Sequence, residues 1–150
     1  MDLGAGYLGL FLSAFLAGSV VPLPSEPVFL ALLASGADPV LAVAVASAGN
    51  LLGALTVWLL GRALERGGAR WLGPRWRERW GGDEASRAAA RERLRRWGAG
   101  LLLLSWAPWI GDPIVLGAGL AGVRLLPFLL LCGAGKLLRY AALAWVWTAV

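Results

Sequence analysis

Taken as a pattern of hydrophobic and polar positions, the chain falls into four apolar blocks, at about 3 to 21, 27 to 61, 98 to 123 and 125 to 150. One long polar segment separates the second block from the third. Crossing the ~30 Å hydrocarbon core of a bilayer takes ~20 helical residues. Positions 40 to 61, VLAVAVASAGNLLGALTVWLLG, supply that length without a break. So does the block after Arg124, where Pro127 falls near enough to the start of a helix to be tolerated. Two spanning helices are predicted there.

The other two blocks are interrupted halfway, by VPLPSEP at 21 to 27 and by APWIGDP at 107 to 113. The arms left on either side, roughly 10 to 16 residues, are too short to cross alone, so each block is expected to form a re-entrant helical hairpin. Backbone broken at membrane depth needs protein or water to satisfy its polar groups, so the two breaks should face each other or a polar cavity.

A shift of 86 positions lays SVVPLPSEPVFL, from Ser19, on SWAPWIGDPIVL, from Ser105, without a gap. Serine, proline, acid and proline coincide, Glu26 falling on Asp112. The same register lays AGNLL at 48 to 52 on AGKLL at 134 to 138, which joins both breaks and both spanning helices and puts Asn50 opposite Lys136. The chain therefore reads as one membrane domain over 1 to 150, with repeat one at about 3 to 62, a basic segment at about 63 to 97 and repeat two at about 98 to 150.

Charge orients the repeats. Eleven arginines lie between Arg62 and Arg96, against Glu65, Glu78, Asp83, Glu84 and Glu92, which places this segment in the cytoplasm. The first spanning helix then runs outward to inward and the last one inward to outward. The first hairpin dips in from outside, the second from the cytoplasm, and both termini lie outside. Two copies held together on one side are inverted in the membrane, and inverted repeats with discontinuous helices are a transporter signature with a site near the midplane. The fold class expected is all-α integral membrane, an inverted repeat of re-entrant hairpin plus transmembrane helix. Within the basic segment, DEASRAAARERLRRW reads as an amphipathic interfacial helix after Trp71, Trp76 and Trp80, with arginines drawn to anionic headgroups.

Composition narrows the chemistry. The chain is 59% hydrophobic with mean hydropathy +0.69 and 15% charged, against a usual ~25% for soluble domains. It has no His, and Cys132 is its only cysteine, so imidazole chemistry, an internal disulfide and a thiol metal cluster are excluded. No nucleophile with its base is present, and neither an enzyme, a cofactor, a metal nor a nucleic-acid partner is expected. The first apolar block lacks the basic start of a secretory signal and is expected to be retained.

At the two breaks and within the two spanning stretches only Glu26, Asp112, Lys136 and Arg139 carry a formal charge, and those charges cancel. Charges there cost about 2.5–3.5 kcal/mol each near the bilayer centre, so they should converge or meet water. Each acid precedes a proline and could cap a half-helix, Ser25 being an alternative cap beside Glu26. Lys136 and Arg139 could simply neutralise the acids, or Arg139 could snorkel outward. Alternatively, with Tyr140 on the same helical face, they form an anion clamp suited to a phosphate. Pro22, Pro24, Ser25, Asn50, Ser105, Trp106, Pro108 and Trp109 are the remaining candidates for the hairpin tips or the cavity. Gly49 and Gly53 read as a close helix contact.

These motifs together resemble the DedA superfamily, whose members carry the VTT or SNARE-associated domain, and its short YqaA-like branch in particular. The likeness rests on Ser25-Glu26 after Pro22, GNLLGALTVWLLGR at 49 to 62, LLLLSWAPWIGD at 101 to 112 and GKLLRY at 135 to 140. It implies two re-entrant hairpins meeting in a bacterial inner membrane. It also implies movement of phospholipid or polyprenyl-phosphate carriers, often linked to the proton motive force. Pro22, Pro24 and Glu26 fit the family's P-x-P-x-E motif, which carries the proton-linked role to Glu26. The main family's upstream acid is replaced by Gly18, and its arginines around the second proline by Ser105 and Gly111.

The expectation is a proton-influenced translocase or scramblase of a phosphate-bearing lipid. Lys136 and Arg139 would hold the headgroup while the proton-linked acids Glu26 and Asp112 alternate between neutral and charged. Membrane lipids and protons are the partners, and a homo-oligomer is left open. A proton-coupled exporter of small cations or drugs, and a structural membrane protein whose charges only lock helix packing, are the alternatives.

Overall fold

Proline, acid and glycine mark the helix boundaries. The computed structural model describes residues 3–21, 23–66, 85, 88–89, 92, 100–107 and 111–149. Helix α1 spans Leu3–Gly18, α2 Glu26–Ala34 and α3 Pro39–Glu65. After the basic segment come α4 at Gly100–Leu103, continued by a 3-10 turn at Leu104–Trp106, then α5 at Gly111–Leu120 and α6 at Leu125–Ala149. No strand occurs among the described residues. The expected amphipathic helix at 83 to 97, together with Pro22, Pro108 and Trp109, lies almost wholly outside them.

The connections repeat in kind. Gly36 and Gly122, which share the 86-residue register, both take left-handed backbone, at φ 87° and 75°. A side chain is strained in that region, so glycine suits both positions. After α2, Ala37 N–H reaches back to Leu32 O and Gly36 N–H to Leu33 O; after α5, Val123 N–H reaches Ala118 O and Gly122 N–H reaches Gly119 O. Each glycine thus closes its short helix in a Schellman turn. The long helices α3 and α6 begin at Pro39 and Leu125, again in that register. Asp38 caps α3 by accepting from Leu41 N–H at 2.8 Å, with Pro39 at the first helical position.

Among the described residues, only α3 and α6 are long and apolar enough to cross a membrane. They run antiparallel: Asn50 meets Lys136, while Trp58, two turns further along α3, stacks on Phe128, two turns back along α6 (ring centroids 5.6 Å apart). α1 lies along α3 in the same sense, since a Cβ at Gly49 would strike Phe11 O and one at Gly53 would strike Phe15 O. The GxxxG pair is therefore a backbone contact, as the sequence suggests. A second contact of this type joins Gly61 to α5: its Cβ would meet Leu116 O, and one at Gly119 would meet Trp58 O.

Buried side chains form two apolar clusters. One gathers Leu10, Ala14, Phe29, Leu32 and Leu33 with Ala42 and Ala46 of α3 and Tyr140 and Ala144 of α6. The other gathers Leu102, Val115 and Ala118 with Ala54, Val57 and Trp58 of α3 and Phe128 and Cys132 of α6. Asn50 and Lys136 sit between them.

Candidate functional site: a polar layer between two apolar cores

Asn50 and Lys136 are each the twelfth residue of a helix of about 40 Å, so the layer they define lies near the middle of both long helices. Both breaks reach that level. The end of α1 packs its Gly18 against the Asn50 backbone, and the 3-10 turn before the second break lays Ser105 against Cys132, one turn from Lys136.

Hydrogen bonds tie the layer together across three elements. Lys136 Nζ donates to Asn50 Oδ1, and Asn50 Nδ2 donates to Tyr140 OH at 3.2 Å. Tyr140 OH and Ser25 Oγ share a hydrogen bond of 2.6 Å. All four side chains are buried, Lys136 at only 5% exposure. An ammonium so far from water needs its acceptor, and the carboxamide of Asn50 supplies one without adding charge. Lys136 and Tyr140 reach the same partners because they stand one turn apart on α6. Phe29 of α2 packs on the Tyr140 ring with centroids 5.3 Å apart, which fixes the hydroxyl toward Ser25.

Arg139 points elsewhere. One guanidinium nitrogen pairs with Glu26 Oε1, and another donates to Trp106 O at 3.3 Å. A single side chain thus bridges the start of α2 to the segment just before the second break. Both partners of the ion pair keep partial exposure, 23% for Arg139 and 29% for Glu26, whereas Lys136 is enclosed.

The capping role open to Glu26 and Ser25 is not realised. Ser25 occupies the N-cap position of α2 but its hydroxyl makes no capping bond, because Tyr140 takes it; Glu26 is the first residue of the helix and its carboxylate turns to Arg139. Asp112 is the second residue of α5 rather than its cap, and Lys136 is its charged neighbour. The structure therefore brings Ser25, Glu26, Asn50, Asp112, Lys136, Arg139 and Tyr140 together, with the Trp106 backbone. It does not bring Ser105 in, whose hydroxyl donates to Cys132 Sγ at 3.3 Å, nor Pro24, which is exposed.

Two buried polar groups escaped the reading of the sequence. Ser47 Oγ, one turn before Asn50, and Trp58 Nε1 have no hydrogen-bond partner among the described residues. Nothing local singles out either one, since a serine or tryptophan in an apolar helix ordinarily reads as packing. The site as a whole offers one enclosed cation, one partly exposed cation and two acids with no net charge. That combination can receive an anion without a metal.

Comparison with known proteins finds relatives of this sequence. The VTT domain model matches residues 21–148. The chain is 38% identical to the "Inner membrane protein YqaA" of Escherichia coli (strain K12) over 136 residues, covering 90% of this chain and 86% of that protein. It is 34% identical to an uncharacterized protein of Haemophilus influenzae over 148 residues, covering 93% and 85%. No solved structure matches the chain significantly.

Proposed function

Because the chain belongs to the VTT-domain family, we propose that it is a bacterial inner-membrane translocase of phosphate-bearing lipids, phospholipid or polyprenyl phosphate, acting without chemical catalysis. The observation that carries this reading is the enclosed Lys136, held at the mid-height of two long apolar helices and level with both backbone breaks. A cation there costs several kcal/mol unless it serves a ligand or a partner, and it is the natural counter-charge for a headgroup passing the midplane. Arg139 adds a second cation closer to the surface of the protein, and Ser47 an uncommitted hydroxyl.

Three features support an inverted pair of re-entrant hairpins around this site. The long helices are antiparallel, both start in the same 86-residue register, and Gly36 and Gly122 close the short helices in that register as well. The likeness to an inner membrane protein of Escherichia coli supports the inner membrane, and the arginine-rich segment is then cytoplasmic. Transport proceeds as the two hairpins rock about the layer, exposing Lys136 first to one leaflet and then to the other.

The test is reconstitution of the purified chain into liposomes carrying labelled phosphatidylglycerol or a labelled polyprenyl phosphate, with and without a pH gradient. Transfer between leaflets that is lost in Lys136→Met is expected; no transfer of either lipid would sink the reading. The Glu26–Arg139 pair favours a second reading, in which the charges only lock the packing. On that reading Glu26→Gln with Lys136→Met folds and keeps its cellular function, whereas a translocase so altered folds and is inactive.

A further inference from the structure

A serine or threonine hydroxyl in an apolar helix has a ready acceptor in its own backbone. Ser19, Ser35, Thr56 and Thr148 use it, each donating to the carbonyl three residues earlier. Ser25 shares its hydrogen bond with Tyr140, and Ser105 donates to Cys132. Ser47 differs from all of these. It is buried, at 9% exposure, and its Oγ is sealed from solvent with no hydrogen-bond partner among the described residues. An unpaired hydroxyl in a dry interior is a net cost that alanine at the same position would avoid.

The helix sets where this hydroxyl lies. Ser47, Asn50, Ala54 and Trp58 fall on one face of α3. That face meets α6: Lys136 and Tyr140 bond to Asn50, and Phe128 stacks on Trp58. With Asn50 level with Lys136 and Trp58 level with Phe128 on antiparallel helices, Ser47 is level with Arg139 and Tyr140. Both of these have their polar atoms engaged elsewhere, Arg139 with Glu26 and the Trp106 carbonyl, Tyr140 with Ser25 and Asn50. Ser47 therefore stands at the edge of the polar layer, ~4.5 Å along the helix axis from the residue that holds the Lys136 ammonium. The other orphan, Trp58 Nε1, belongs to a ring packed in the second apolar cluster, two turns away from Asn50 on the opposite side.

A hydroxyl left unpaired in the empty protein gains most from a partner that arrives only with a ligand, and that gain favours the loaded state over the empty one. Resting on the lipid-phosphate reading above, we infer that Ser47 is a headgroup-binding residue: when α3 and α6 part at this level to admit a phosphate to Lys136, the Ser47 hydroxyl donates to one of its oxygens. Lys136 supplies charge without direction, and Ser47 supplies a directed bond one turn along α3. The orphan hydroxyl of the closed layer is then a donor reserved for the ligand.

This role and a structural one predict opposite signs for a single substitution. The experiment uses the full chain in detergent, with short-chain phosphatidylglycerol and, separately, a short isoprenyl phosphate as probes. It reads the thermal midpoint without probe and the dissociation constant of each probe. Ser47→Ala should unfold about 2–4 °C above the wild type, because the orphan is gone. The same variant should bind both probes about tenfold more weakly. Ser47→Cys, which keeps a side chain of similar shape but donates poorly, should also bind weakly. Ser35→Ala, which removes a hydroxyl satisfied by Leu32 O, should bind as the wild type does. Unchanged binding in Ser47→Ala and Ser47→Cys overturns the inference alone. So does a lower midpoint for Ser47→Ala without probe, since the hydroxyl would then have a structural partner. A loss confined to the glycerol lipid also overturns it, because the hydroxyl would then read the glycerol and not the phosphate. Binding of neither probe by the wild type overturns the lipid-phosphate reading with it.

Discussion

Asn50 and Lys136 stand 86 residues apart in the chain and are hydrogen-bonded to each other. Their separation equals the register that aligns the two halves of the sequence, so at this one level two corresponding positions meet in space. The amide and the ammonium depend on each other. Asn50→Ala leaves Lys136 enclosed without its acceptor and should destabilise the fold by about 2–4 kcal/mol. Lys136→Met in the same background should recover about 1–3 kcal/mol of the sum of the two single losses. Unfolding of the four proteins in mixed micelles measures this coupling, and strict additivity would show that the bond contributes nothing.

Tyr140→Phe keeps the ring packed on Phe29 but removes the hydroxyl that serves both Ser25 and Asn50. A loss of about 1–3 kcal/mol is expected from the polar groups left unsatisfied. Ser25→Ala added to Tyr140→Phe should cost little more, because its partner is already gone. Equal and additive losses would argue against the bond.

The backbone contacts of α3 make a steric prediction. Gly53→Ala and Gly61→Ala each push a methyl group into a carbonyl of the facing helix and should cost about 2 kcal/mol or more, or prevent folding. Gly9→Ala meets nothing within 4 Å and should be neutral or stabilise α1 by about 0.5–1 kcal/mol. Thermal stability in detergent separates the two classes.

Arg139 holds both the start of α2 and the carbonyl of Trp106. Its loss should loosen the 3-10 turn that covers Cys132, which is fully buried and is the only thiol in the chain. Maleimide labelling should be slow in the wild type and about tenfold faster in Arg139→Gln. Unchanged labelling would mean that the turn is held by packing alone.

Much of this was legible in the sequence, for identifiable reasons. The two long helices follow from uninterrupted apolar runs, and the correspondence of Asn50 with Lys136, though not their contact, from a register set by prolines and acids. Ser25 was legible as polar but not in its role. Its place before Glu-Pro suggests a cap, yet the competing partner, Tyr140, lies 115 residues away and only tertiary packing brings it near. The Gly61–Gly119 contact was hidden because 21 glycines leave no single one conspicuous. Nor could spacing alone assign the cations to the acids. Lys136 and Arg139 are three residues apart, and which one turns inward depends on the face α6 offers to α3.

A residue on a two-fold axis between identical halves would meet its own copy. Two lysines there would repel each other, and two asparagines would leave the centre without a cation. Joining the halves into one polypeptide removes that constraint: the central position carries an amide on one side and an ammonium on the other. The difference in sequence between the two halves of one chain is thus what permits a single positive charge at the centre of this antiparallel pair of helices.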